Sequence, residues 1–345
     1  MKRRYSRALI TGINGQDGAW LAAQLLGEGI EVFGTHRPAS PAGNWRLQEL
    51  GFASHPNLHH RALDLGNVAA CRGLLSDVDA QAIFHLAGQS RVADSFRDPL
   101  GSIHANGIGT LNLLEAMRRQ SPDAHFVLAS SAEIFGNAEH APQDEQTPIR
   151  ASTPYGVSKL LAHSAMGSWR QSFGLAASSA ILFNHESELR DDAFVTRKIS
   201  QGVARILLGK EQELTLGNLD ARRDFGYAPE YMSALANMAD RDSGDDYVLA
   251  SGHAASIREF ASAAFDAIGM PIDWQGHGAA EVARERSSGK IRVRVDTKLL
   301  RPVDAPLLVG NATKAREQLG FKPQLDLTEL TRRMVEADLG RERKA

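Results

Sequence analysis

Short apolar runs alternate with longer segments of helical pattern through the first half of the chain. The predicted strands lie at residues 8–10, 31–35, 58–63, 80–86, 125–129 and 176–183, and of these residues 8–10 and 126–129 are wholly apolar. Continuous apolar runs of this length are typical of strands that are buried on both faces. Helical patterns over residues 19–27, 99–120 and 152–173 lie between them. This alternation predicts an α/β protein with a Rossmann-like doubly wound parallel sheet.

The regular alternation ends at Asn184, after which only residues 246–250 read as a returning strand of the sheet. We therefore predict two domains. The first is a Rossmann domain of residues 1–183 plus about 224–251. The second is a smaller, discontinuous substrate-binding domain of about 184–223 and 252–345.

The turn after the first strand carries Gly12, Gly15 and Gly18 in the sequence TGINGQDG. Glycines between a strand and a helix let backbone amides approach a pyrophosphate, and the helix N-terminus favours negative charge. This spacing is a weak signal in isolation. Because it lies between a predicted strand and a predicted helix, it predicts a dinucleotide site.

The end of the second strand indicates which dinucleotide is bound. Sites selective for NAD usually carry an acidic residue there, whereas this chain has His36 and Arg37. A guanidinium suits a 2′-phosphate, so we predict NADP. The alternative is an arginine that is only solvated in a loop. After the fourth strand, the small residues Ala87 and Gly88 would let the cofactor pass closely.

Two further pairs of residues carry candidate chemistry. Tyr155 and Lys159 are four residues apart in a predicted helix, so their side chains project from one face. A tyrosine has an unperturbed pKa of about 10 and needs a nearby cation to ionise near neutral pH, which Lys159 can supply. Ser131 and Glu133 follow the run at residues 125–129, and ligands bind outside the carboxyl ends of such strands. Because this tyrosine–lysine spacing also arises by chance, the order of all these motifs carries the inference.

Composition excludes several other classes. Apolar residues make up 43% and charged residues 23% of 345 residues, as in an ordinary globular protein. A net charge of -2 gives no bulk attraction to nucleic acid or to an anionic membrane, so we expect neither as a partner. The single cysteine, Cys71, excludes an internal disulfide and a multi-cysteine metal site, and we expect no metal. Because no run has the length of a membrane span or of a signal peptide core, we expect a cytoplasmic location.

The order of the glycine-rich loop, Ser131, Glu133, Tyr155 and Lys159 resembles the extended short-chain dehydrogenase/reductase superfamily, in its nucleotide-sugar branch. Longer strings are similar to the GDP-mannose 4,6-dehydratase family over about residues 8–335. They are TGINGQDG at 11–18, NHES at 184–187, FVTRKI at 194–199, GNLDARRDFG at 217–226, RP at 301–302 and TKAREQLGFKP at 313–323.

The resemblance implies a lyase that dehydrates a GDP-manno sugar, GDP-mannose or a close relative such as the heptose, to the GDP-4-keto-6-deoxy sugar with tightly held NADP. The catalytic residues it implies are Ser131, Glu133, Tyr155 and Lys159. The implied cofactor contacts are Gly12, Asn14, Gly15, Gln16, Asp17, Gly18, Arg37, Asp64, Leu65, Leu86, Ala87, Gln89, Tyr155, Lys159, His185 and Arg190. The implied substrate contacts are Ser90, Ser131, Glu133, Asn184, Val195, Arg197, Lys198, Gly217, Arg223, Arg301 and Asp304.

The sequence departs from the family at several positions. Ser131 replaces the usual threonine, Ala132 a serine and Leu300 a tyrosine, and one arginine of the usual pair remains as Arg190. These departures leave open a second function, a reductase or epimerase that acts on a GDP-4-keto-6-deoxy sugar with NADPH. A third, a non-catalytic binding protein, is disfavoured by the retained catalytic set. A homodimer or homotetramer is expected, with the helices around Asn106 and Lys159 as the dimer contact.

Overall fold

The computed structural model describes residues 3–40, 45–300 and 307–344. Strands in the first half are β1 Arg7–Thr11, β2 Glu31–His36, β3 Leu58–Ala62, β4 Ala82–His85, β5 His125–Ala129 and β6 Ala177–Leu182. Helices there are α1 Gln16–Gly27, α2 Trp45–Glu49, α3 Val68–Val78, α4 Val92–Arg97, α5 Pro99–Ser102, α6 Gly109–Gln120 and α7 Pro154–Phe173. A π-helical segment spans Ile103–Ile108, and a 3-10 turn spans Ala132–Ile134.

The second half has shorter strands. They are β7 His185–Glu186, β8 Leu214–Leu216, β9 Arg222–Asp224, β10 Gly226–Tyr227, β11 Asp246–Leu249, β12 Ala254–Ser256, β13 Ile272–Gln275, β14 Val282–Glu285, β15 Ile291–Val295 and β16 Leu307–Leu308. Its helices are α8 Val195–Leu207, α9 Ala228–Met238, α10 Ile257–Asp266, α11 Thr313–Leu319 and α12 Leu327–Glu342, with 3-10 turns at Gly278–Ala280 and Thr297–Leu299.

The central sheet has seven parallel strands in the order β11-β6-β5-β4-β1-β2-β3. This confirms the predicted Rossmann-like doubly wound sheet. From β1 the chain proceeds to β2 on one side, and from β4 to β5 on the other. The carboxyl ends of β1 and β4 therefore border the crevice in which this fold binds its ligands.

Side chains of β5 alternate between two cores. Phe126 and Leu128 pack with α3, α6 and α7 on one face, whereas Val127 and Ala129 pack with α1 and α9 on the other. Both faces are covered, which explains why the strands read as continuous apolar runs. A third core forms around α8, α10 and α12, with the fully buried Phe260 near its centre.

The predicted long helix over residues 99–120 is wrong in one respect, because the π-helical segment Ile103–Ile108 interrupts it. The segment buries Asn106, whose side-chain amide donates to Gln89 O at 3.0 Å and to Ser158 Oγ at 2.8 Å. Local widening of a helix in this way commonly re-aims a side chain near a functional site.

The third core accounts for most of the predicted substrate-binding domain. We propose that the chain divides into the two predicted domains with one change to their boundaries. Leu308, Ala315 and Phe321 pack in the core of α1 and α9. The segment from β16 through α11 therefore belongs with the Rossmann sheet, and the second domain resumes at α12.

We expect Phe260→Ala to lower the free energy of unfolding by about 3–5 kcal/mol, because it leaves a cavity in the third core. Phe173, at the exposed end of α7, is a control of the same residue type. Phe173→Ala should cost about 1 kcal/mol or less. Urea unfolding of both variants measures the difference, and equal losses would contradict the role given to the third core.

Candidate active site

The glycine-rich loop lies at the carboxyl ends of β1 and β4 and leaves no room for side chains. Gly12 has a φ of +77°, and a Cβ there would lie 2.9 Å from Ala87 Cα. A Cβ on Gly18 would lie 2.3 Å from Gly12 O. Because α1 begins directly after this loop, its first backbone N–H groups face the crevice end of the sheet. The loop therefore fits a pyrophosphate.

Ser131, Glu133, Tyr155 and Lys159 line one cavity of about 740 Å³. Thr153 accepts a hydrogen bond from Gly156 N and caps α7, which fixes the turn that carries the tyrosine. Ser131 hydrogen-bonds the Tyr155 side chain, and its Oγ accepts Glu133 N at 3.2 Å. The quartet thus converges, while the role of each member stays a prediction.

The pKa values of the tyrosine and the lysine depart from the simple expectation. Burial raises the pKa of Tyr155 to about 12, against the lowering effect of its hydrogen bond to Ser131. Burial also lowers the pKa of Lys159 to about 8. The Lys159 ammonium donates to Ala129 O at 2.9 Å and lies 5.9 Å from the centre of the Tyr155 ring. The lowered tyrosine pKa predicted from the spacing is therefore not seen, because loss of solvent outweighs the nearby cations.

A chain of buried hydrogen bonds supports this face of α7. His85 lies between Thr11 Oγ1, at 2.7 Å, and Thr110 Oγ1, at 3.0 Å. Thr110 donates to Asn106 O, and Asn106 donates to Ser158 Oγ. Burial lowers the pKa of His85 to about 3, so the imidazole is neutral. The chain connects β1 and β4 to α7 without a buried charge.

The NHES string lies against the start of α1. His185 Nε2 lies 3.0 Å from Asp17 Oδ2, and both residues line the cavity. Although both groups are buried, their attraction keeps the pKa of Asp17 well below and that of His185 above the ordinary value. Gln16 donates to His185 O and accepts a hydrogen bond from Ser187 Oγ. The Gln16 side chain is therefore used within the protein, which leaves its backbone for a cofactor.

Arg190 enters the cavity from the loop after β7. Its Nε lies 2.9 Å from Oε2 of Glu186, a residue that is almost wholly buried. Its guanidinium lies 3.6 Å from the centre of the Phe194 ring. This cation faces the same cavity as Tyr155 and lowers the tyrosine pKa.

The same cavity is lined by six further residues that the sequence predicts to contact substrate. They are Ser90, Asn184, Val195, Lys198, Gly217 and Arg223. Lys198 Nζ donates to Thr215 O at 2.6 Å, and the buried Arg223 donates to Arg222 O at 2.8 Å. The cavity lining thus includes these two cationic side chains, which suit a diphosphate.

Arg197 is not among the residues that line the cavity, so the structure gives no support to its predicted substrate contact, which stays a prediction. Its guanidinium lies 2.7 Å from Asp338 and donates to Glu188 O and Arg190 O. The sequence places Arg197 beside Lys198, but adjacent residues on a helix point in different directions.

The remaining predicted cofactor residues lie along the crevice edge of the sheet. Leu86 lines the cavity, and Arg37, Asp64, Leu65, Ala87 and Gln89 follow the ends of β2, β3 and β4. Arg37 is exposed, and Asp64 accepts Gly66 N at 2.9 Å. Arg301 and Asp304 lie outside the described residues.

Sequence reasoning missed the contribution of α4. Arg91, Asp94 and Arg97 line the cavity, and Ser95 Oγ accepts Tyr155 N at 3.0 Å. The short segment after the fourth strand carries no pattern that places it over the start of α7. Lys298 was also missed, since nothing in its local sequence indicates a cavity.

Two negative findings concern the described residues. Among residues 3–40, 45–300 and 307–344, no helix has the length and apolar character needed to cross a membrane. Across the same part of the chain, no group of three or more His, Cys, Asp or Glu side chains is arranged to hold a metal.

The parallel sheet, the glycine loop and the Ser-Tyr-Lys arrangement define a Rossmann-like protein of the extended short-chain dehydrogenase/reductase class. The sequence model described as GDP-mannose 4,6 dehydratase matches residues 9–334. The chain belongs to this family, whose members are hydro-lyases.

Curated relatives agree with this. The GDP-mannose 4,6-dehydratase of Sinorhizobium fredii (strain HH103) is 41% identical over 337 residues, covering 96% of each chain. The GDP-mannose 4,6-dehydratase sdnI of Sordaria araneosa is 42% identical over 98% of this chain. The chain spans 62% of the length of that relative.

Solved structures share the fold. The UDP-glucose-4-epimerase of Stenotrophomonas maltophila, solved with bound NAD, has a TM-score of 0.81 at 21% identity, covering 99% of this chain and 100% of that one. RMD from Pseudomonas aeruginosa, solved with NADPH, has a TM-score of 0.76 at 24% identity, covering 97% of this chain and 99% of that one. At these identities the likeness shows the fold alone.

We expect Arg37→Asp to weaken binding of NADP much more than binding of NAD, because the substitution replaces a cation near the expected 2′-phosphate with an anion. A loss of about 10- to 100-fold corresponds to one charge-assisted hydrogen bond. Titration of both dinucleotides by calorimetry measures it. Arg61→Asp is the control with the same change of charge. Arg61 lies on β3, and its guanidinium lies over the ring of Phe33 on β2. Equal weakening of NADP and NAD by Arg37→Asp would refute this role.

Proposed function

We propose that the protein dehydrates GDP-mannose to its GDP-4-keto-6-deoxy form, with NADP as a recycled cofactor. One observation carries the proposal: Ser131, Glu133, Tyr155 and Lys159 line the same cavity as the cationic side chains of Lys198 and Arg223. Family membership supports the choice of the GDP-sugar.

The residues present fit a dinucleotide. Its pyrophosphate would lie over the glycine loop, whose close packing excludes side chains. Arg37 would meet a 2′-phosphate, and Asp64 the adenine. The nicotinamide supplies a hydride acceptor that later returns the same hydride, so no cofactor is consumed.

Tyr155 is the proposed base for the sugar 4-hydroxyl. Its pKa near 12 makes it a poor base in the protein alone. The positive charge of an oxidised nicotinamide would lower that pKa further, in addition to the effect of Arg190. Ser131 donates to the same oxygen and holds it in line with the tyrosine. Oxidation at carbon 4 gives a ketone, which acidifies the hydrogen on carbon 5.

Glu133 is the proposed base at carbon 5. Its carboxylate takes the carbon 5 proton, and the electron pair left behind expels the 6-hydroxyl. The departing hydroxide takes up one of the two abstracted protons and leaves as water, while the other proton returns to carbon 5 when hydride reaches carbon 6. The family usually has a serine where this chain has Ala132. Because alanine has no hydroxyl, residue 132 contributes no hydrogen bond from its side chain to the proposed reaction.

The diphosphate group of the substrate anchors it in the cavity. Lys198 and Arg223 supply the cations, and Asn184 and Gly217 line the same cavity. Because the diphosphate itself does not react, the energy of its binding to these cations can orient the sugar against Tyr155.

We also propose a homodimer as the smallest assembly. Val157 is 46% exposed and Leu161 is 36% exposed on α7, and both are apolar. Leu161 also packs against Gly107 of the π-helical segment. Exposed apolar side chains on a helix suit packing against the same helix of a second copy of this chain.

Incubation of the purified protein with GDP-mannose and no added reductant should yield a product lighter by one water, without net change in NADPH absorbance. Product mass and absorbance are followed together. If GDP-mannose is unchanged, while a GDP-4-keto-6-deoxy sugar consumes NADPH, the protein is a reductase and the proposal fails.

Glu133→Gln should abolish exchange of the carbon 5 hydrogen with solvent deuterium, because the amide cannot accept that proton. NADP binding should be retained, since the proposed contact of Glu133 is with the sugar and not with the dinucleotide. Product isotope analysis measures exchange, and Glu139→Gln is the control on an exposed residue paired with Arg150. Undiminished exchange in Glu133→Gln would assign the base elsewhere.

A further inference from the structure

Three guanidinium groups surround one partly exposed tryptophan beside the cofactor loop. Cζ of Arg46, Arg341 and Arg197 lies 4.7, 5.0 and 5.7 Å from the centre of the Trp45 ring. We call these four residues the Trp45 cluster. Cation–π stacking of this kind holds a guanidinium plane in a fixed orientation. The cluster lies outside the catalytic cavity, and none of its members has a role in the proposed reaction.

Arg46 uses its fixed plane to connect two separate loops. Its Nε donates to Leu189 O at 2.7 Å, and its Nη1 donates to Asn14 O at 3.0 Å. Its Nη2 lies 3.6 Å from Asp191 Oδ2. Asn14 belongs to the cofactor loop, residues 12–15, and Leu189 to the cavity loop, residues 187–191.

On the cofactor side, the bond fixes one peptide group. Arg46 holds the carbonyl of the Asn14–Gly15 peptide, while the N–H of the same peptide donates to Gly12 O at 2.9 Å. With both ends held, the peptide plane cannot rotate. The next residue, Gln16, begins α1, so this plane sets where the helix N-terminus points.

On the cavity side, two members of the Trp45 cluster hold the backbone that presents Arg190. Arg46 holds Leu189 O, and Arg197 holds the carbonyls of Glu188 and Arg190, each at 2.9 Å. Only the Arg190 side chain then projects toward Glu186 and the cavity. The position of this cavity cation therefore depends on the same guanidinium that fixes the cofactor loop.

We propose that Arg46 is a positioning residue that couples the cofactor loop to the cavity loop, and so sets cofactor affinity and the placement of Arg190 together. The inference deepens the proposed function and rests on it for the identity of NADP. A lysine can replace this guanidinium only in part, because a single ammonium lacks the planar fork that reaches two carbonyls and a carboxylate.

The test compares Arg46→Gln and Arg46→Lys with a matched arginine. Arg292 has the same side-chain exposure as Arg46, 11%, and likewise binds a carboxylate and a backbone carbonyl. It lies on β15, away from the cavity lining. For each variant we would measure NADP affinity by calorimetry, the melting temperature and hydrogen–deuterium exchange of both loops.

We expect Arg46→Gln to weaken NADP about 10- to 100-fold, as for the loss of one or two charged hydrogen bonds. Exchange should rise in both loops together, and Arg46→Lys should recover part of the affinity. Arg292→Gln should lower the melting temperature comparably without either effect. Where turnover is measurable, the KM for GDP-mannose should also rise in Arg46→Gln.

Unchanged NADP affinity in Arg46→Gln, faster exchange in one loop alone, or the same loss of affinity in Arg292→Gln would overturn the proposal. If the wild-type protein binds NADP but leaves GDP-mannose unchanged, the proposed function fails, whereas the affinity and exchange comparison still decides the role of Arg46. A wild-type protein that does not bind NADP would overturn both.

Discussion

The parallel pairing of β1 with β4 is the constraint on which the site depends. It brings the glycine loop against Ala87, where a single Cβ on Gly12 would collide with backbone. The same pairing aligns Thr11 with His85, which starts the neutral hydrogen-bond chain through Thr110 and Asn106 to α7. The cofactor crevice and the placement of Tyr155 are therefore consequences of one strand register.

Burial of the catalytic side chains is the second physical influence on the site, and it opposes ionisation of the tyrosine. In the low dielectric of the cavity, the pKa of Tyr155 rises and that of Lys159 falls, because burial disfavours the charged form of each group. Spacing in a helix cannot reveal this, because it fixes which face the side chains share and says nothing of the solvent they lose.

Arginines in the described part of the chain separate into distinct roles that their sequence context does not reveal. Arg223 and Arg190 line the cavity, whereas Arg197 and Arg46 hold backbone carbonyls behind it. The FVTRKI string makes Arg197 look as suitable for a phosphate as Lys198. Only the packing of α8 on α12, with Asp338 facing it, decides between them. Guanidinium groups serve both purposes because their planar donors suit carboxylates, phosphates and carbonyls alike.

The sequence by itself determined the alternation of strands and helices up to residue 183, the glycine loop and the Tyr155–Lys159 face, because these depend on local periodicity and backbone freedom. It also carried the family strings that define the chain's relatives. Tertiary structure decided what depends on contacts between distant segments: the π-helical segment that aims Asn106, the helix α4 over the tyrosine, and the return of residues 308–321 to the first core. It also decided which loops Arg46 joins, since these are 32 and 143 residues away in the chain. Such contacts leave no periodic trace, because they arise only when the sheet has brought the segments together.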